Sequence, residues 1–453
     1  MAPRHQLSRD PAAAWAPYAP DAARPWTLAR ASHLYRRAAF GARAEDLVRA
    51  LAGGPEQAVA ELLAPPGDLT AFDRARDADE TAACRSGRSD AVRDWWLRRM
   101  ILSPHPLRER MALLWHAHFA LDAAQVKEAP AVRRHVALLR EHALGSYRSL
   151  VEAMVRDPAL LASLGAAASR RGQPAEGLAR ALLERWTVGA EHCAEEDVRE
   201  AARAFTGTFV RGDEVIHVAR EHDGGVKRVL GRTGPFTGED VVQIALAHPA
   251  TAETVVRRLW RAFVSEVEEP APALLAPLAR SFAAGLDLGR LAGTILRSSL
   301  FFSDAARGQR ITSPVELAVG LVRSLEGLIA TSTLARDLDR LGQRLLHPPT
   351  ARGWAGGPAW IDRVTLLRRQ ALAAALLAEG GAYGGRLDPR EVAARHGHAD
   401  VNAAADFLAD LLLPEGGEAV RSAARAELSR GAPGEALRRF AIAIARSPEY
   451  QLS

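Results

Sequence analysis

Trp115, His116, Ala117, His118 and Phe119 place two imidazoles two residues apart, and imidazole is the commonest metal ligand near neutral pH. A His-x-His pair chelates well from a strand, where residues i and i+2 share a face. On a helix the same pair diverges by about 200°, so His116 and His118 reach one ion only where the helix ends. If the helix continues, His118 lies beside Asp122 one turn on. Such a His–carboxylate pair is suited to orienting a ligand or moving a proton. The plainer reading makes both imidazoles buried, hydrogen-bonded helix residues, with Trp115 and Phe119 on one face in the core.

Glu176, Arg180 and Glu184 follow at i, i+4 and i+8. As catalytic groups, Glu176 and Glu184 point into a cleft with His118 and serve in acid/base or metal chemistry, with Arg180 as a binding residue. As structure, they form an ion-pair ladder whose steps each contribute about 0.3–0.5 kcal/mol. His222 and Asp223 precede Gly224 and Gly225. Asp-Gly is turn chemistry, although a His at a loop tip is also a binding candidate. Trp354, Gly356, Gly357 and Trp360 make a rigid aromatic loop that can line a sugar or peptide groove, or simply cap a helical core. The Gly-rich string at 231–240 lacks the Gly-Lys-Ser/Thr ending of a phosphate loop, and Thr237 with Asp240 reads as a capping box. No nucleophile elbow, H-E-x-x-H helix or G-x-G-x-x-G fingerprint is present.

The elements that must position these residues are mainly helical. Apolar periodicity with Gly or Pro stops recurs from "TLARASHLYRRAAFG" to "ALRRFAIAIARSPEYQLS". Residues 208–238 differ, being rich in Gly and β-branched residues. There "EVIHVA" and "KRVLG" flank "HDGG", which supplies hairpin turn chemistry. The expectation is a mainly-α, multi-helix globular body with one small β-hairpin near 208–238. Residues 1–25, rich in Ala, Pro and Arg, read as a flexible N-terminal arm. Residues 343–362 read as a Pro/Gly/Trp-rich loop, and residues 26–453 as one helical domain with a sub-boundary near 325–365.

The 453-residue chain is 48% hydrophobic, enough for a core, and its formal net charge is +5. Only Lys127 and Lys227 are lysines, so the positive charge is arginine, as GC-rich coding drift produces. The arginines are interleaved with acids, as in "RDWWLRRM". That pattern gives solvated helix faces, not a phosphate-tracking stripe, and nucleic acid is not the expected partner. No apolar run approaches the roughly 18 residues of a membrane span, and no secretory signal is visible. Cys84 and Cys193 are far apart, which argues against a disulfide framework. A soluble, cytoplasmic protein is the simplest expectation.

Eight strings in order resemble the DUF1800 family. They are "HLYRRAAFGA" at 33–42, "SPHPLRERMALLWHAHF" at 103–119, "EEDVREAARAFTG" at 195–207, "HDGGVKRVLGRTGPFTGEDVV" at 222–242, "HPATAETVVRRLWRAFV" at 248–264, "SPVELAVGLVR" at 313–323, "GWAGGPAWI" at 353–361 and the terminal "SPEYQLS". The resemblance implies a helical fold without an established activity, and a DUF1501-type, sulfatase-like protein as a partner. The chain departs from the family pattern where that pattern is polar. The family's usual Asp and Asn residues are here Gly165, Ala166, Ser169, Ala175 and Gly177, a helical Glu is Ala181, and the Asn between the two histidines is Ala117. Glu176, Arg180 and Glu184 remain.

Two functional readings follow. The lost polar groups favour a non-catalytic scaffold or partner of a biosynthetic or hydrolytic enzyme. The retained groups favour a metal-assisted hydrolase using a His/Glu cluster and a divalent metal. Elemental analysis separates them. A hydrolase of this kind carries near-stoichiometric metal that the His116→Ala/His118→Ala double variant loses, whereas a folded wild type without metal favours the scaffold.

Overall fold

The computed structural model describes residues 10–65, 69–85, 87–414 and 417–453. Among these, twenty-two α-helices and two small antiparallel two-stranded sheets form the framework, so the mainly-α expectation holds. Helices begin where the sequence supplies a side-chain acceptor: Thr27, Asp157, Asp287 and Asp400 each accept from a backbone N–H of the first turn. The Thr237–Asp240 box closes reciprocally, Thr237 N–H donating to Asp240 Oδ2 at 2.9 Å and Asp240 N–H to Thr237 Oγ1 at 3.4 Å.

Two helices are buried almost all round. In Pro314–Ser324 every residue is buried, and in Pro106–Phe119 only Arg108, Leu114 and Ala117 are not. A helix with no solvent face has no amphipathic stripe and sits inside a large core. Helices Leu28–Ala38, Ala44–Leu63, Ser89–Leu102 and Ala129–Glu141 surround Pro106–Phe119. At the other end, Arg363–Leu377, Pro389–Arg395, Val401–Leu412 and Glu418–Ala426 gather around Ala436–Arg446. Helix Pro314–Ser324 touches both groups, and the apolar core is continuous from Ala14 to Tyr450.

Arginine is the polar adhesive of this core. Arg37 donates to the carbonyls of Phe263 and Ala306 at 3.1 and 2.7 Å. Arg323 donates to Met100, Ile101 and Ser103, capping the orphan carbonyls at the end of helix Ser89–Leu102. The planar fork of a guanidinium reaches several carbonyls at once, which an ammonium does less well. The deepest charges form a chain. Glu316 accepts from Ser313 N–H at 2.7 Å and from Arg310 at 2.8 Å and pairs with Arg110, while Arg310 also donates to Glu266 at 3.1 Å. Burial alone raises the Glu316 carboxyl, but Arg110 and Arg310 outweigh it and hold it down to about 2.

Two expectations need revision. Residues 1–9 lie outside the described residues, and residues 10–25 are not a free arm. Trp15 donates to Leu274 O at 2.7 Å, and buried Tyr18 packs 4.8 Å from Phe302. The β region holds two hairpins, not one. Thr208–Arg211 pairs with Glu214–His217, and Lys227–Val229 pairs with Arg232–Gly234. The second turn takes its positive φ values from Leu230 (48°) and Gly231 (76°), as a tight hairpin turn requires. "HDGG" is a braced connection between the hairpins, because Asp223 is held by Arg203 and buried Lys227 donates to the carbonyls of Asp223 and Gly225.

Replacing Glu316 with Gln leaves Arg110 and Arg310 buried without their shared counter-charge. The expected loss is about 3–5 kcal/mol, read as a lower denaturant midpoint. A variant as stable as wild type shows that the charge chain does not hold these helices together.

Candidate functional site

The end of helix Pro106–Phe119, the segment 184–191, helix Pro249–Phe263 and the loop 352–360 enclose a cavity of about 670 Å³, within the range of small-molecule sites. The segment enters through a π-helical turn, Ala181–Trp186. There Thr187 N–H donates to Leu182 O at 3.0 Å, one residue further back than in an α-helix, and Thr187 Oγ1 donates to the same carbonyl at 2.6 Å. Such bulges recur at functional sites because the extra residue re-aims side chains, and here the adjacent Glu184 and Arg185 both line the cavity. The loop is pressed onto the central helix by Gly353 (φ 79°), where a Cβ would meet Ala117 O at 2.3 Å. Only glycine allows that approach.

The cavity wall is dominated by arginine, seven of them against four glutamates. Arg110, Glu316, Arg310 and Glu266 are the buried chain described above. Arg257 and Arg261, one helical turn apart, share Glu269 outside the cavity. Three arginines remain without a carboxylate among the described residues. Arg185 donates only to Ala351 O, and Arg258 and Arg352 have no side-chain partner. Burial lowers the pKa of both Arg185 and Arg258; for Arg185 the neighbouring Glu184 carboxylate acts the other way, and Arg352 adds to the lowering. Arg185 and Arg258 are thus cations in a partly dry place, whereas Arg352 is exposed.

His118 lies against this cluster. Its Nε2 donates to Tyr147 Oη at 2.9 Å, and Tyr147 in turn donates to Trp186 O. That chain leaves Nδ1 as a buried acceptor without a partner. Burial, then Arg258, hold the imidazole well below its ordinary pKa, and it is neutral. Burial likewise raises the Tyr147 hydroxyl. His116 points elsewhere. Its Nε2 accepts from Leu346 N–H at 3.0 Å, its ring packs between Trp96 and Trp354, and burial brings it down to about 3.

The structure therefore brings His118, Glu184, Trp354 and Trp360 to one cavity. Glu176 and Arg180 are not among its walls. They form the expected ladder, with Arg180 bonded to Glu176 at 3.0 Å, to Glu184 at 2.6 Å and also to Glu195. His222 and Asp223 lie away from it. His222 Nδ1 meets Thr206 O at 2.9 Å, and the bond from Arg203 holds Asp223 down to about 2. Asp122 is not the neighbour of His118. Ala120 turns left-handed (φ 53°) and ends the helix, so Asp122 faces His347 at 3.2 Å. The residues that sequence reasoning missed are the arginines. The signal was the string "VVRRLWRAF" at 255–263, which carries three arginines and no acid.

The divalent metal suggested by the sequence finds no matching donor set. His116 Nε2 is occupied by a backbone N–H, Glu176 stands outside the cavity, and among the described residues no three His, Cys, Asp or Glu side chains gather as a metal site. No helix among them is long and apolar enough to cross a membrane. Cys193 is free, burial raising its thiol to about 11, and the side chain of Cys84 lies outside the described ones.

Fold and cavity together define a helical protein with an arginine-walled internal site. The chain belongs to the DUF1800 family, proteins of unknown function, whose family model matches residues 33–452. No curated protein and no solved structure matches it. At Gly177 a Cβ would lie 1.9 Å from Leu164 O, so no larger side chain fits this backbone.

The buried neutral histidines make stability depend on pH. His33, His105, His116 and His118 all have folded pKa values below the ordinary one, His105 about 4 and His116 about 3. They bind protons on unfolding, so their contribution is complete above about pH 6.5 and is lost as pH falls toward the folded values, by up to about 1.4 kcal/mol per pH unit for each group. The denaturant midpoint is expected to fall steeply between pH 7 and 5, less so in His116→Gln, which keeps an acceptor for Leu346. A midpoint that is flat over this range contradicts the assignment.

Proposed function

We propose that this protein is a non-catalytic binding module that takes an anionic group into the arginine-walled cavity. The observation that carries the reading is the set Arg185, Arg258 and Arg352, which line one cavity with no carboxylate partner among the described residues. A desolvated guanidinium without a counter-charge, as at Arg258, is costly. An oxyanion offsets that cost through charge-assisted, bidentate hydrogen bonds of the kind an arginine fork favours. In this reading the DUF1501-type partner implied by the family resemblance presents or receives the anion, and the DUF1800 chain is the scaffold that holds it.

A hydrolase remains the second reading, supported by His118 and Glu184 lining the same cavity. A neutral imidazole and a carboxylate are the groups a general-base reaction on an anionic ester requires. Turnover of para-nitrophenyl phosphate or sulfate that is lost in His118→Ala, with an unchanged far-UV spectrum, would support it. A His118→Ala chain that unfolds assigns His118 to the core.

Calorimetric titration with inorganic phosphate and sulfate tests the binding reading. Saturable binding, weakened at least tenfold in Arg258→Gln and by added salt, is the expected result. Equal affinity in wild type and variant, or none in either, removes the anion site.

A further inference from the structure

The cavity offers more than positive charge. Glu191, on the short helix Ala190–His192 at its wall, is exposed and has no ion-pair partner among the described residues, although unpaired arginines line the same space. Glu266, on the opposite wall, uses one carboxylate oxygen for Arg310, and its Oε2 has no partner. Free carboxylate oxygens beside free guanidiniums in one cavity weaken the hold on a bare oxyanion, which the carboxylates repel. They suit a ligand that carries an oxyanion together with hydrogen-bond donors. The third wall is aromatic. Trp354 is only partly buried, its ring braced by His116 at 5.4 Å, and Trp360 lies beyond the Gly356–Gly357 turn. A flat, rigid indole face takes the apolar face of a ring and restricts its orientation at little entropic cost. At about 670 Å³ the space is far larger than one oxyanion requires.

We propose that the ligand class is an acidic carbohydrate: a hydroxyl-bearing sugar ring carrying a phosphate, sulfate or carboxylate. The oxyanion lies at Arg185, Arg258 and Arg352, ring hydroxyls donate to Glu191, and the ring face rests on Trp354. This assignment rests on the anion-binding reading and gives it a substrate class.

The test is a comparison of affinities by titration calorimetry on the full chain. The probes are glucose 6-phosphate, glucose 6-sulfate and glucuronate, each against its hydroxyl-poor counterpart: methyl phosphate, methyl sulfate and acetate. At least one sugar acid is expected to bind tenfold or more tightly than its counterpart, and the best pair names the acid. Glu191→Ala, a change at an exposed residue, is expected to lower that preference at least tenfold while leaving the counterpart's affinity equal or higher, because a repelling charge is gone. Trp354→Phe retains part of the preference, and Trp354→Ala retains less. If the sugar acids and the small anions bind equally, the carbohydrate assignment fails while the anion site stands. If Glu191→Ala leaves the preference intact, the assignment of Glu191 fails. If neither class binds, both readings fall together.

Discussion

The carboxylate of Glu316 lies between two buried guanidiniums, and the rest of the molecule is arranged around that arrangement. Arg110 comes from the central helix Pro106–Phe119, Arg310 from the connection before helix Pro314–Ser324, and Glu316 itself from the first turn of that helix, where it also closes the capping box with Ser313. One ionised side chain thus fixes the relative placement of the two most buried helices. Burying charge in this way is not an efficient route to stability, since well-packed apolar residues often do as well. It does set register, because each oxygen of Glu316 has its own arginine partner, and slippage of either helix leaves a charge unpaired.

The same chain forms the floor of the cavity. Charges that satisfy one another inside the wall leave the remaining arginines facing the space, and the difference between paired and unpaired guanidiniums is the basis of the proposed ligand preference. The π turn at Ala181–Trp186 and the left-handed Ala120 serve this end from two sides. The first sets Glu184 and Arg185 side by side on the wall, and the second stops the central helix so that the chain turns away immediately beyond His118. Ala117 lines the cavity, and Gly177 lets two backbones close up.

Much of the framework was legible in the sequence because helix boundaries are local. Thr237 with Asp240, the prolines at first-turn positions and the glycine stops fix ends that depend on a few adjacent residues. Hairpin pairing was less legible. "HDGG" satisfies the same rules as a true turn, but the strands on either side of it pair with other partners, and Arg203 and Lys227 brace it as a connection. At the site, His118, Glu184, Trp354 and Trp360 were recognisable by residue type, but their convergence depends on contacts between segments more than 60 residues apart. The arginines were hidden by an average. Across the chain they are interleaved with acids, whereas in 255–263 they are not, and a local excess of charge is what a binding cavity requires.

The most direct test is to locate an anion in the cavity. Crystals soaked in selenate give an anomalous signal wherever the oxyanion binds. The account predicts a peak inside the cavity within hydrogen-bonding reach of Arg258 and of Arg185 or Arg352, absent from Arg258→Gln crystals grown and soaked in the same way. Peaks confined to the outer surface, with the cavity unoccupied at saturating selenate, would contradict it.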